Sequence, residues 1–376
     1  MMKADPFSDR QLRSLSGTAL LSPILRLIPG SAAQMGGRAA WAGPLAALPL
    51  ALLYAALLCR LSRSLRPGET LPELTLRCLG RRRGGTLLLL LGAWLLLYCG
   101  FVLRSGADRL LVAAYPRSDP ALFIVSTGLL ALFSALGPFR SLLRTARMAA
   151  PLLALTLGLI LQKALQGLEL SELLPLPGTE PRALLCSSLP ALDLLCFGPA
   201  ILFFFRPAPE RSGLSFRRLA GWLSLLSLLL TLLGAAVQGR FGAALSARLS
   251  APFFALLRNL VLLRSLERPE ALVVGLWVLP DFLLSGLCLH AAQRCLRLAF
   301  ACPPRPREGR KRLDTGNGRL FIWFCGGAAI GLGLLLGRDP ASLLFWSRRL
   351  IPLLSLAVCL LLIPGIFFLA RLMKKL

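Results

Sequence analysis

The sequence predicts an all-α protein that crosses a membrane about ten times. Hydrophobic residues make up 56% of its 376 residues, and the mean hydropathy is +0.70. A soluble fold of this length has too little interior to bury so much apolar surface, which favours lipid as the solvent. Apolar runs close to the roughly 20 residues that cross a bilayer as a helix recur along the whole chain. We therefore expect one integral membrane domain over residues 1–376.

The apolar runs predict ten spans, with a transmembrane bundle over residues 14–371 and a cytoplasmic N-terminal segment at 1–13. In chain order, spans 1 to 10 are 14–36, 42–61, 86–106, 119–137, 149–167, 184–205, 217–238, 270–293, 319–337 and 350–371. Residues 302–318 are rich in Pro, Gly and Arg, which predicts a basic cytoplasmic loop. Short interfacial helices are expected at 139–148 and 252–264, where apolar residues are interspersed with Arg at helical spacing.

The basic residues predict the orientation of the bundle. The chain has 43 Lys and Arg against 17 Asp and Glu, a formal net charge of +26. Most of these cations lie in the two terminal segments and in the connections after spans 2, 4, 6 and 8, all on one side, and the exception is the basic connection 239–269 on the opposite side. The positive-inside rule then places both termini in the cytoplasm. Because this charge lies beside apolar spans, we expect membrane lipid as its partner and no nucleic acid.

The sequence carries no recognisable signature of an enzyme or a metal site. Its ten cysteines include no CxxC pair, and it has a single histidine. HExxH, Walker A and GxSxG motifs are also absent from the sequence. We therefore predict that the protein is not an enzyme and has no cofactor and no metal.

Spans 1 and 6 carry helix-breaking residues, at equivalent positions of a five-plus-five repeat. Span 1 contains Pro23 and Pro29, and span 6 contains Pro190 and Pro199. One proline in a membrane helix often causes only a kink, but the pairing favours discontinuous helices 1 and 6, as in transporters. Backbone groups freed at such breaks can bind a ligand. The predicted ligand-binding residues at the two breaks are Thr18, Ser22, Asp193, Phe197 and Gly198.

Polar residues inside the spans supply further candidates. Asp193 either holds a ligand ammonium group or acts as a helix cap. Asp281 in span 8 either binds a ligand, as a proton or cation site, or pairs with an arginine from span 1 or 3. Tyr98, in the middle of span 3, either donates a hydrogen bond to a ligand or packs against neighbours.

Five residues are predicted to have structural roles. Pro29 shapes span 1, and Arg104 and Asp108 lie one helical turn apart at the end of span 3, where a local salt bridge is expected. Glu267 and Arg268 precede span 8, where a charge pair can cap the helix and anchor it at the interface.

Five short motifs occur in a fixed order along the chain. They are SDRQL at 8–12, PGETLPELTLRCLG at 67–80, FVLRSGADRLL at 101–111, RTARMAAP at 144–151 and LERPEALVVGLWVL at 266–279. In this order and spacing they resemble the endospore germination permeases. These are the B subunits of GerA-type nutrient germinant receptors, in the amino acid–polyamine–organocation superfamily.

This resemblance implies a LeuT-like inverted repeat, with a ligand held between spans 1 and 6 and against spans 3 and 8. It implies a subunit that binds a small germinant, such as an amino acid, beside A-type and C-type subunits in the spore inner membrane. The alternative is a proton- or sodium-coupled amino acid transporter. One departure concerns span 6, where many relatives have a glutamate after Phe-Gly. Here Phe197 and Gly198 are followed by Pro199, and Asp193 lies earlier.

Overall fold

A computed structural model describes most of the chain, and its described residues fold into helices joined by short connections. The described residues are 8–63, 65, 69–113, 115–174, 181–205, 215–249, 251–260, 269–300, 317–336 and 339–372. The helices are α1 Asp9–Gly36, α2 Gly43–Arg63, α3 Leu71–Ala113, α4 Pro120–Leu136, α5 Phe139–Gln166, α6 Leu170–Leu173, α7 Pro181–Leu202, α8 Phe216–Arg248, α9 Pro252–Arg258, α10 Pro269–Leu276, α11 Val278–Phe300, α12 Asn317–Leu335, α13 Pro340–Phe345, α14 Ile351–Leu356 and α15 Ile363–Leu372. A 3₁₀ segment, Gly37–Ala42, joins α1 to α2.

The predicted all-α membrane class is confirmed. Seven described helical stretches are long and apolar enough to cross a membrane, and Pro120–Leu136 and Leu320–Leu335 are shorter apolar helices. The total of ten crossings stays a prediction. The interfacial helix expected at 252–264 corresponds in part to α9. Residues 139–148 instead form the start of α5, because their buried leucines pack into the bundle. The predicted loop 302–318 lies almost entirely outside the described residues.

Spans 1 and 6 differ from the predicted discontinuous form. The helix α1 runs for 28 residues and α7 for 22 residues, and both are continuous. Pro190 and Pro199 lie inside α7, where every residue from 190 to 202 is buried. A proline removes only one N–H donor, and a helix enclosed on all sides keeps its path through its side-chain packing. The chain leaves the helical path only after Leu202, in a turn at 203–205.

The pronounced bends lie instead at two glycines. Gly80 in α3 has φ 73°, and Gly242 in α8 has φ 71°, in the left-handed region that favours glycine. The bend at Gly80 separates a short helical segment from the start of span 3, and the bend at Gly242 separates another from the end of span 7. Both segments therefore connect the second and third spans of a half, which agrees with the predicted five-plus-five repeat.

The centre of the bundle is formed by α3, α7 and α11, which contact α1, α2 and α12. Almost all residues from Pro280 to Gln293 of α11 are buried. The helices α4 and α5 lie at the periphery, where Phe133 is 77% exposed and Leu155 is 63% exposed. Large exposed apolar side chains of this kind are expected on a surface that faces lipid. Polar groups of the central helices are consequently removed from both water and lipid.

Candidate functional site

Asp281 of α11 connects three helices through one carboxylate. The side-chain hydroxyl of Ser22 in α1 donates to Asp281 Oδ1, and Arg109 Nη2 in α3 donates to Asp281 Oδ2. The Asp281 and Arg109 side chains are each 5% exposed. A buried carboxylate is tolerated only with a counter-charge and hydrogen-bond donors, and these two residues supply both. The sequence left two roles open for Asp281, a proton or cation site or the partner of an arginine from span 1 or 3, and in the structure Asp281 pairs with Arg109, just beyond the predicted end of span 3.

Small residues on α3 allow α11 to approach closely enough for this ion pair. A Cβ atom at Gly106 would lie 3.0 Å from Asp281 Oδ2, so a larger residue would displace the carboxylate. Two turns earlier on α3, the Cys99 thiol donates to the carbonyl oxygen of Ser285, with an S···O distance of 3.7 Å. The ion pair is thus one part of a continuous seam between α3 and α11.

A cavity of about 360 Å³ adjoins the ion pair at the end of the bundle where α3 terminates. It is lined by residues of α3, α9 and the connection between α8 and α9: Asp108, Arg109, Val112, Leu249, Ala251, Phe254, Ala255, Arg258 and Asn259. Arg258 Nη2 donates to the carbonyl oxygen of Val112 at 2.7 Å, which caps the C-terminus of α3. The cavity therefore combines two guanidinium groups, one carboxylate and an apolar wall.

One nitrogen of Arg109 lacks a hydrogen-bond partner in the described part of the chain. Arg109 Nη1 is buried and makes no hydrogen bond to any described residue, whereas Nη2 is held by Asp281. A buried guanidinium N–H without an acceptor is costly, so this group favours the binding of an additional acceptor.

Three aromatic side chains connect span 3 to span 6. The Tyr98 ring lies 5.0 Å from that of Phe197, and Trp94 lies 5.8 Å from Tyr98 and 5.7 Å from Phe197, measured between ring centroids. Tyr98 and Phe197 are each 1% exposed. The structure therefore brings these two predicted site residues together, as an aromatic contact between α3 and α7.

Thr18 and Gly198 are engaged by the protein itself. The Thr18 hydroxyl donates to the Ser14 carbonyl oxygen of its own helix at 2.8 Å. A Cβ atom at Gly198 would lie 2.7 Å from the Trp222 ring and 2.9 Å from Leu20. Gly198 thus permits close packing of α7 against α1 and α8, and the space expected there for a ligand is filled by side chains.

The Asp193 side chain lies next to the last span. Asp193 is 2% exposed and lies beside Ser355 of α14. It is the remaining predicted ligand-binding residue, and the structure does not bring it together with Ser22 or Asp281.

The predicted structural residues are only partly described. Arg104 is 8% exposed and makes contacts of its own, and Asp108 does so while lining the cavity, so their mutual salt bridge stays a prediction. The side chain of Pro29 lies outside the described part of the chain, as do Glu267 and Arg268.

Sequence reasoning missed two features of the site region. Arg109 lies three residues beyond the predicted end of span 3, so nothing marked it as buried. The second feature involves Glu73, which accepts from the Thr70 N–H at 2.9 Å and from Arg294 of α11 at 3.0 Å. Both Thr70 and Glu73 belong to the motif at 67–80, which could have identified them, and the contacts give that motif a structural role.

These features define the class of the protein: an integral membrane protein with the LeuT-like fold of transporters. The structure matches a nucleobase-cation-symport-1 family transporter with bound bromovinylhydantoin. That match has a TM-score of 0.65 and 17% identity, covering 96% of this chain and 78% of the other. It also matches a Na⁺-coupled sialic acid symporter in a substrate-bound, outward-open state, with a TM-score of 0.61 and 14% identity, covering 98% and 79%.

The chain belongs to the family of spore germination proteins, the spore permeases, whose family model matches residues 16–305. This match confirms the resemblance seen in the five sequence motifs. A search of curated proteins gives no match. Family and fold together support a permease-like role in a membrane.

Proposed function

We propose that this protein is the membrane subunit of a nutrient germinant receptor and binds a small germinant, an amino acid, beside the ion pair of Arg109 and Asp281. The observation that carries the proposal is Arg109, which lines the cavity and has one buried N–H nitrogen without a partner among the described residues. Membership of the spore germination family supports the biological setting.

The cavity has the chemistry that a zwitterion requires. A ligand carboxylate is an acceptor for the guanidinium groups of Arg109 and Arg258, which bind carboxylates in a forked geometry. Asp108 offers a negative charge for the ligand ammonium group, and Phe254 offers an apolar contact for its side chain. A volume of about 360 Å³ suits a small nutrient molecule.

Binding there would be coupled to the arrangement of the helices. A ligand carboxylate competes with Asp281 for Arg109, and the link between α3 and α11 weakens as it binds. Because Ser22 holds the same carboxylate, α1 is affected as well. A ligand shifts a conformational equilibrium only by its different affinities for the two states, and this competition provides such a difference.

A true transporter is the second candidate, since the two solved structures to which the fold is similar are described as a transporter and a symporter. A sensor and a transporter can share one architecture. Uptake of labelled amino acids into proteoliposomes distinguishes them. Accumulation driven by a proton or sodium gradient would favour the transporter and contradict a purely sensory role.

The proposal includes A-type and C-type partner subunits, a location in the spore inner membrane and cytoplasmic termini. Family membership supports the partners and the location, and the distribution of arginine supports the orientation. Co-purification from spore membranes tests the partners. A single cysteine at position 310, on a cysteine-free background, tests the orientation, because labelling only from outside would overturn it.

Germination itself tests the site. Ala255 lines the cavity, so Ala255→Phe fills it without removing a charge, whereas Ala244 is exposed on α8 and Ala244→Phe is the matched control. We expect Ala255→Phe to raise the germinant concentration for a half-maximal response at least about tenfold, or 1.4 kcal/mol. The control should respond like the wild type at equal receptor abundance. An unchanged response of Ala255→Phe would place the ligand elsewhere.

A further inference from the structure

Asp193 is a second buried carboxylate, and it has no basic partner among the described residues. Asp193 Oδ1 accepts no hydrogen bond within the described part of the chain, although the side chain is only 2% exposed. Ser355 of α14 lies beside it, with its fully buried hydroxyl close enough to interact with the carboxylate. Asp281 has Arg109 as its counter-charge, whereas no described residue supplies one for Asp193.

The groups around Asp193 cannot neutralise it. The described titratable groups that interact with it are the thiols of Cys196 in α7 and Cys359 in the last span, and the Tyr54 phenol of α2 interacts with both thiols. Thiols and phenols provide no positive charge in any protonation state. An uncompensated carboxylate charge in a protein interior costs several kcal/mol, and no described residue supplies a positive charge here, so the site favours the binding of one cation.

The last span is irregular where it faces this carboxylate. Two π-helical segments, Trp346–Leu350 and Ala357–Leu362, flank α14 and Ser355. Segments of this kind are rare and are frequent at functional sites. The Ile363 N–H bonds to the Val358 carbonyl oxygen, five residues earlier. The equivalent bond to Cys359 cannot form, since residue 364 is a proline without an N–H.

We propose that Asp193 and Ser355 form a binding site for one monovalent cation, a proton or an alkali metal ion, between α7 and the last span. A proton would convert Asp193 into a neutral acid that can donate a hydrogen bond to Ser355. An alkali ion would be held by oxygen ligands, namely the Asp193 carboxylate, the Ser355 hydroxyl and a freed backbone carbonyl. In both cases the cation offsets the same buried negative charge and stabilises the contact between α7 and α14.

This site goes beyond germinant binding. It involves neither Arg109 nor the cavity, and it is compatible with a sensor or a transporter. Its test can therefore succeed or fail independently of the proposed receptor function.

The test compares the purified full-length protein in detergent with two variants that carry the same chemical change. Asp193→Asn removes the charge at the proposed site. Asp119→Asn is the control, because Asp119 is an exposed N-cap of α4 and asparagine caps a helix equally well. Thermal unfolding is measured in NaCl, KCl and choline chloride at equal ionic strength. Infrared spectra at neutral pH report any protonated carboxylic acid.

Each cation gives its own result. For an alkali ion, Na⁺ or K⁺ raises the melting temperature of the wild type and of Asp119→Asn, and Asp193→Asn loses this rise. If the cation is a proton, the three salts have the same effect on the melting temperature. The infrared band of a protonated carboxylic acid is then present in the wild type and the control but lost in Asp193→Asn. The proposal is overturned if the wild type shows neither effect, or if Asp193→Asn retains it.

Ser355→Ala keeps the inference testable if Asp193→Asn does not fold. This variant retains the carboxylate and removes a neighbouring oxygen. We expect about tenfold weaker alkali-ion affinity, or a shifted carboxylic acid band if the cation is a proton. An unchanged affinity together with an unshifted band would contradict the role of Ser355 in the site.

Discussion

Replacing Arg109 by glutamine should strongly destabilise the bundle. Among the described partners of the Asp281 carboxylate, the Arg109→Gln variant leaves the hydroxyl of Ser22. Because both members of the ion pair are 5% exposed, water cannot take the place of the guanidinium. Removing one partner of a buried ion pair costs about 3–5 kcal/mol, since the other charge stays buried and uncompensated. We expect a loss of this size in the free energy of unfolding.

The double variant separates the interaction from general damage. Asp281→Asn alone leaves the Arg109 guanidinium buried without its anion, so its cost should be comparable. The double variant Arg109→Gln/Asp281→Asn buries two neutral amides, which can bond to each other. Its cost should therefore fall below the sum of the single costs by about 2 kcal/mol.

Ser22→Ala measures the third partner of the carboxylate. It removes one hydrogen bond to a charged acceptor, which is worth about 1.5–3 kcal/mol. Ser62→Ala is a suitable control, because Ser62 is also buried but its hydroxyl donates at 2.8 Å to the Cys59 carbonyl oxygen of its own helix. We expect a clearly smaller effect for this control.

The free energy of unfolding can be measured in mixed micelles by denaturant titration, with tryptophan fluorescence as the probe. All variants are compared at one detergent composition and one protein concentration. Two results would refute the reasoning. One is an Arg109→Gln variant as stable as the wild type, and the other is a pair of single costs that add within about 0.5 kcal/mol in the double variant.

Three further predictions concern the packing of the bundle. Gly198→Leu should reduce the yield of folded protein in size-exclusion chromatography, because its Cβ would lie 2.7 Å from Trp222, and a normal elution profile would contradict this. Gly80→Ala should cost about 1–2 kcal/mol of unfolding free energy, because φ is 73° at Gly80. The control Gly158→Ala, in the regular helix α5, should be neutral or stabilising. Equal effects of the two variants would contradict backbone strain at Gly80. Glu73→Gln should lower the melting temperature only slightly, because the ion pair of Glu73 is more than a third exposed, and a loss comparable to that of Arg109→Gln would refute this.

The sequence was sufficient to predict the fold class and to point to several residues of the site region. Apolar periodicity and the family motifs identify an all-α bundle with a LeuT-like architecture, and the comparisons confirm both. The pairing of Asp281 with an arginine from span 1 or 3 was among the predicted alternatives, because a charge inside a span needs a partner, and the observed partner is Arg109 just after span 3. Tyr98 and Phe197 were both predicted to lie in the site region, and they are in contact.

Tertiary packing determines helix continuity, local space and burial at positions where the local sequence pattern does not. Pro190 and Pro199 are breakers in isolation, yet α7 remains helical because neighbouring helices enclose it. From the sequence alone, Gly198 was expected to let a ligand approach the backbone. In the bundle, the Trp222 ring occupies the space beside it. Arg109 lies beyond the predicted end of span 3, where arginines are common, so the local pattern did not mark it as buried. Its burial becomes evident only once α9 and the start of α11 are placed beside it.

Equilibrium binding of labelled amino acids to the purified protein in lipid nanodiscs tests the central claim most directly. The account predicts saturable binding of at least one free amino acid and a loss of that binding when the carboxylate of the ligand is converted to an amide. It also predicts at least about tenfold weaker binding to Ala255→Phe than to Ala244→Phe, because only the first change fills the cavity beside Arg109. Equal binding of acid and amide, undiminished in Ala255→Phe, would contradict a ligand site at Arg109 and Asp281.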